Sequence, residues 1–227
     1  MQVSPPLGLA RSPLEKPDMR LVALFSFLIS VSLSHAAVPK ADYPASPLTV
    51  LLDFEQPHSS VSFESLQHEL QRLLAPARLK IDLRINSELP SAPQFTDVLL
   101  FKMKGHCTME ALPIGALSDE RGALAMTYSV DGDLLPFGEV ECDRVRLSIQ
   151  RTLGKGNPEG RQATFGIALG RVIAHEVYHM ITNSSAHTKD GLTKESLSGR
   201  ELSQQLLSYP AGARTTLQDR ANHAFSH

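Results

Sequence analysis

Between Gln162 and Thr182 the chain carries a helical pattern that is apolar on nearly every side. Phe165, Ile167, Leu169, Val172, Ile173, Val177, Met180 and Ile181 leave only a narrow polar strip, and Gly166, Ala168 and Gly170 thin one face. A helix that is apolar all round has to be buried. Other elements must therefore wrap around it, and the small residues invite a neighbouring backbone to approach closely. The polar strip that remains holds His175, Glu176 and His179.

Residues four apart on a helix lie on one face, a turn above each other. His175 and His179 can thus point their imidazoles at a common centre, and neutral imidazole is a good zinc ligand. Glu176, beside the first histidine, reaches the open side of such a centre. There it can take a proton from an activated water and pass it to a leaving amine. The spacing His-Glu-x-x-His has this chemical meaning. The bland alternative, a surface helix with two solvated histidines, does not suit the apolar surroundings. A catalytic zinc takes three protein ligands and keeps one open position. His187 is the candidate third ligand, because Asn183-Ser184-Ser185 is a helix stop that can turn the chain back. Glu195 and Glu201 compete for that place, and His106 is a more distant candidate. A solvent-exposed loop histidine is the other reading of His187.

The rest of the chain supplies the wrapping. Residues 48–53 read as a strand, and 62–74 as an amphipathic helix that Pro76 ends. Residues 79–85 alternate as a half-buried strand does, and 97–103 and 123–130 are further strands. Asp131-Gly132-Asp133 is a turn, and 115–121 and 154–160 are loops. Helices are expected at 140–153 and 192–207, and beyond Tyr209-Pro210 the pattern fades. Strands and one helix first, helices later, make an α+β domain.

Met19-Arg20, the apolar run 21–33 and Ser34-His35-Ala36 have the layout of a secretory signal peptide, with translation expected to start at Met19. The run is short for a bilayer span, although an uncleaved anchor is the competing reading. No cysteine stands directly after it, which argues against a lipid anchor. The expected organisation is 1–36 extension and signal, 37–46 extended leader, 47–209 catalytic domain and 210–227 tail. In an exported chain the two cysteines, Cys107 and Cys142, read as one disulfide, with two free thiols as the alternative and Cys107 as a conceivable latent zinc ligand. A net charge of −2 in 227 residues gives no basic field for nucleic acid. The absence of tryptophan speaks weakly against a carbohydrate-binding module.

With these residues in view, His175-Glu176-x-x-His179 followed by His187 resembles the metzincin branch of the zincins. That resemblance implies a zinc endopeptidase with a twisted, mostly parallel sheet, an active-site helix and a cleft between them. It makes His175 and His179 ligands and Glu176 the base. His187 matches the third ligand in type but stands two residues late. No glycine lies between Met180 and Ala186, and no methionine follows His187. The stretches 131–137, 140–146, 168–179 and 191–194 are similar to uncharacterised secreted bacterial proteins described as zincin-like peptidases. In zincins the strand ahead of the active-site helix borders the cleft and pairs with substrate as an added strand. Here that strand is 123–130, and an ordinary inner strand is the alternative. Tyr128 or Tyr209 could stabilise an oxyanion, and each also suits a packing role. The expectation is a secreted or periplasmic monomeric zinc peptidase with a peptide or protein substrate, no nucleic-acid partner and no membrane span once the signal is cleaved. A catalytically silent zincin-fold metal-binding or interaction protein of the cell envelope is the second reading. A structural envelope domain with an accidental motif is the third.

Overall fold

The computed structural model describes residues 47–109, 122–153, 157–203 and 206–224. The signal-like segment, the leader at 37–46, the loop at 115–121 and residues 154–156 of the second loop lie outside the described residues. Five strands form one sheet in the order β2-β1-β3-β5-β4. Strands β1 (Leu48–Phe54), β2 (Ile81–Ile85), β3 (Val98–Lys104) and β5 (Asp133–Glu141) run parallel. Strand β4 (Ala125–Val130) lies antiparallel to β5 at one edge. The helices are α1 (Ser60–Leu74), α2 (Cys142–Gln150), α3 (Pro158–Thr182), the short α4 (Gly199–Ser203) and α5 (Ala211–Ala224). The fold is mixed α and β on a mostly parallel sheet, as expected. No helix among the described residues is long and apolar enough to cross a membrane.

The registers put Val50 beside Leu99, Leu52 beside Phe101, Phe101 beside Gly138 and Gly138 beside Thr127. All six therefore share one face of the sheet, and α3 packs onto it. A Cβ on Gly138 would stand 2.9 Å from Met180 Cε and 3.2 Å from a Phe101 ring carbon. The missing side chain lets α3 lie low over the edge of the sheet. Phe165, Leu169, Ile173 and Val177 of α3 are all buried, each stabilising the fold by about 1.5–3 kcal/mol.

Helices α1 and α3 pack closely where the small residues predict it. A Cβ on Gly166 would stand 2.2 Å from the Ser62 carbonyl oxygen, and one on Gly170 would stand 3.0 Å from that of Leu66. Gly166→Ala gains helix propensity of about 1 kcal/mol but drives a methyl into backbone, so we expect a net loss of about 2 kcal/mol. Gly212→Ala, where a Cβ meets nothing within 4 Å, is expected to be neutral or mildly stabilising. Urea unfolding of both variants checks this, and equal effects would contradict it.

Helix α3 begins and ends as its sequence asks. The Asn157 side chain caps it by accepting from Gly160 N at 2.6 Å, and Pro158 opens the first turn. Asn183 closes it in the left-handed conformation, φ 47°. The Asn183 amide then accepts from Leu134 N at 2.8 Å and donates to Asp133 Oδ1 at 3.0 Å. The end of α3 is thereby tied to the β4–β5 hairpin.

Three sequence expectations need correction. The helix expected at 140–153 begins only at Cys142, because β5 continues through Glu141. Pro136 and Gly138 disguise that strand. The β4–β5 register shifts between Thr127 and Ser129, so Pro136 sits at a bulge, where a missing N–H is tolerated. The helix expected at 192–207 shrinks to Gly199–Ser203. The chain before it is held as a loop instead, with Thr188 N donating to Thr193 O and the two threonine hydroxyls 2.7 Å apart. Past Tyr209-Pro210, where the pattern fades, the chain forms α5. Its buried stripe is only Ala213, Leu217 and Ala221, laid against α3.

Cys107, just past β3, and Cys142, the first residue of α2, are joined as a disulfide with a Cα–Cα distance of 5.0 Å. It closes a loop of 35 residues in sequence separation that contains β4 and β5. On the chain-entropy model such a loop stabilises by about 4 kcal/mol. Cys107 is thus no free thiol for a metal.

Candidate metal centre

His175 and His179 lie one turn apart on α3, and the turn after Asn183 brings His187 back against them. One ring nitrogen from each of the three lies within 4.8 Å of the others. The ring centroids of His187 are 5.3 Å from His175 and 4.8 Å from His179. Among the described residues this is the only cluster of three or more His, Cys, Asp or Glu side chains that could hold a metal ion.

The hydrogen bonds fix which nitrogens face the centre. His175 Nδ1 is 2.8 Å from the Leu192 carbonyl oxygen, and His179 Nδ1 is 2.5 Å from that of Ser184. A carbonyl only accepts, so each Nδ1 carries the proton and each Nε2 keeps a lone pair. The two Nε2 atoms stand 2.9 Å apart. Lone pairs at that separation repel unless a cation or proton lies between them. Two nitrogens on one tetrahedral zinc stand roughly 3.3 Å apart, given bonds of about 2.0–2.1 Å. The observed spacing is within a small relaxation of that value. A backbone carbonyl behind each of these two rings also fixes its orientation and tautomer, as outer partners do for histidines at metal sites.

Electrostatics agree with the donor set. Burial, helped by His179 and His187 nearby, pushes the His175 pKa down to about 4 against the upward pull of the Leu192 carbonyl. Burial and His179 lower His187 too, against Glu195. The sign is that of a depressed group. Between about 6.5 and 4 the unfolded His175 binds protons that the folded one refuses, so stability falls as pH falls through that range. At neutral pH the imidazole is uncharged and ready to coordinate.

Glu176 is 8 % exposed and faces the same space. Burial raises its pKa, while Thr127 and His179 pull it down, and the net shift is upward. Thr127 Oγ1 donates to Glu176 Oε2 at 2.7 Å. The pocket around these groups measures about 520 Å³ and is bounded by Leu124, Ala125 and Thr127 at the β4 edge, Val172 of α3, and residues 194–197.

The competing ligands fall elsewhere. Glu201 pairs with Lys194 at 2.6 Å and accepts from Ser198 N at 2.8 Å, contacts that hold its pKa at about 2. Glu195 lines the pocket but is outside the three-histidine cluster. His106 lies 3.7 Å from Asp143, beside the disulfide. Tyr128 points to the opposite face of β4 from Thr127, by strand alternation, and stacks on Phe137 with ring centroids 5.0 Å apart. The Tyr209 hydroxyl is buried and donates to the Ala174 carbonyl oxygen, so neither tyrosine offers its hydroxyl to the pocket. Residues 123–130 do border the pocket, as the edge strand rather than an inner one.

Sequence reasoning missed Thr127 and the two carbonyls, of Ser184 and Leu192, that orient the histidines. A carbonyl leaves no trace in side-chain identity. Thr127 lies 49 positions from its partner, beyond any local pattern. A scan against protein-family models and a search of curated proteins both return no match to this chain.

Proposed function

We propose that this chain is a zinc-dependent peptidase of the zincin type, exported from the cytoplasm, with His175, His179 and His187 as metal ligands and Glu176 as general base. One observation carries the reading. Three imidazoles converge, two with their outer nitrogens already committed to carbonyls, and a buried carboxylate faces the same pocket. Zinc, when bound, supplies Lewis acidity toward water and the scissile carbonyl. The chain's own part is to orient and to move protons. Glu176 sits where it can accept the proton of an attacking water and return it to the leaving amine. Burial raises its pKa, which favours the return of a proton it has taken.

The β4 edge supports a peptide substrate. Glu141 N donates to Leu124 O, so Leu124 and Met126 turn their main-chain groups toward β5. By alternation, those of Ala125 and Thr127 face the open edge. An extended peptide can pair there, as an added strand, beside the histidines. The disulfide suits an oxidising compartment, and so does the signal-like segment.

The test is metal content and turnover together. Protein purified without chelators is expected to carry about one zinc per chain and to cleave members of a peptide library. Cleavage should stop with a chelator and return with zinc. His187→Ala should weaken zinc binding more than Glu195→Ala does. Zinc uptake without any cleavage would leave a metal-binding protein. Failure to take up zinc at all would remove the proposal.

A further inference from the structure

Among the described residues, the Glu176 carboxylate is held by a residue of the edge strand. Among the described residues, the bond from Thr127 Oγ1, at 2.7 Å, is the one hydrogen bond on that carboxylate. A glutamate side chain has several rotatable bonds, and fixing it costs conformational entropy. A base that must meet a water within hydrogen-bond reach cannot leave its end free.

The mount of Thr127 is closely packed on one side. Thr127 pairs with Gly138 of β5. A Cβ on Gly138 would stand 2.8 Å from Met126 O and 2.9 Å from Met180 Cε. At this level the strand pair and α3 lie too close to admit even a methyl group, and the hydroxyl stands within hydrogen-bond reach of the carboxylate. Thr127 also has its main-chain groups on the open edge, where an extended peptide would pair. One residue thus presents its side chain to the carboxylate and its backbone to the substrate side.

We infer that Thr127 is a positioning residue, which aims the Glu176 carboxylate into the pocket from the strand that receives the peptide. The inference rests on the reading of Glu176 as the base. It gives Thr127 no contact with the reacting atoms, so its loss should be felt in turnover and little in substrate binding.

The test compares Thr127→Val, Thr127→Ser and Thr127→Ala in the full chain. Valine keeps shape and strand preference and removes only the hydroxyl. Serine keeps the hydroxyl. Alanine serves as the second hydroxyl-free variant should valine not fold. With zinc loaded, valine is expected to lower kcat roughly 10- to 100-fold, the scale of a small misplacement of a reacting group. KM should stay near that of the wild type, and serine should restore most of kcat. A second readout needs no activity: the carboxylate carbon resonance of Glu176 in metal-free protein, assigned by its disappearance in Glu176→Gln. Valine or alanine should shift or broaden it, and serine should return it. An unmoved resonance in the hydroxyl-free variants, or a kcat equal to that of the wild type, overturns the inference. A wild-type protein that cleaves no peptide fails the peptidase reading instead, while the resonance still decides the role of Thr127.

Discussion

Glu176→Gln is expected to keep the metal and to lower kcat for peptide hydrolysis roughly 10³-fold, within the range that a positioned general base contributes. Glutamine has the shape of glutamate and still offers Thr127 an oxygen, so the pocket should not rearrange. The three imidazoles are untouched, and Glu176 lies outside their cluster. What is lost is the proton acceptor alone. The fold should not suffer. The folded-state pKa of Glu176 is raised by burial, so its ionised form is a burden whose cost appears as pH rises through that value. Glutamine carries no such burden. Metal-free Glu176→Gln is therefore expected to melt no lower than the wild type at neutral pH. Zinc stoichiometry, kcat and thermal unfolding on the same preparation check all three statements. Unchanged turnover would falsify the assignment of the base, and loss of zinc would make Glu176 a ligand.

The parts of this site that were legible in the sequence are those that one helix contains. His175, Glu176 and His179 are set by the helical repeat, and their burial follows from the apolar residues around them. The return of His187 was legible because Asn183-Ser184-Ser185 cannot continue a helix, and Asn183 does take the left-handed conformation. Thr127 was not legible, since strand pairing across a bulge decides which of its neighbours faces α3. For the same reason β5 does not show in the sequence pattern, and only its last two residues, Val140 and Glu141, fall within the expected helix: Pro136 and Gly138 look like breaks until the bulge and Met180 are placed against them. Helix α5 leaves little trace in the sequence because its buried stripe holds one large apolar residue, Leu217, between Ala213 and Ala221, and alanine marks neither face. Residues 192–198, a loop where a helix is expected, supply the Leu192 carbonyl behind His175. That irregular stretch exists for backbone geometry, and side-chain periodicity carries no information about it.

Arg171→Met is expected to cost about 3 kcal/mol, because it breaks a buried ion pair from one side. Arg171 lies one turn before His175 and is 5 % exposed, and Glu69 of α1 is 4 % exposed. Arg171 Nε donates to Glu69 Oε1 at 2.7 Å, and its Nη1 donates to the Glu201 carbonyl oxygen at 2.5 Å. Arg72 holds the other side of Glu69, at 2.6 Å, and also donates to the Leu207 carbonyl. Burial alone would raise the Glu69 pKa, but the hydrogen bonds from Arg72 and Arg171 outweigh it and hold the carboxyl below its usual value. A depressed carboxylate stabilises the fold above its unfolded pKa of about 4.3, and that contribution is lost as pH falls through the folded value. The gap between wild type and Arg171→Met should therefore be widest near pH 7 and close in acid. At pH 7 it corresponds to a drop in melting temperature of roughly 6–12 °C for a domain of this size. The double change Glu69→Leu with Arg171→Met should recover part of the loss, since it removes the buried carboxylate that Arg171→Met leaves with Arg72 as its remaining cation. Arg72 is 31 % exposed and can turn to water. Urea unfolding at pH 7 and in acid measures each term, and the double-mutant cycle isolates the pair. A gap that persists unchanged in acid would mean that the packing of the arginine stem, rather than its charge on Glu69, holds α1 against the helix that carries the histidines.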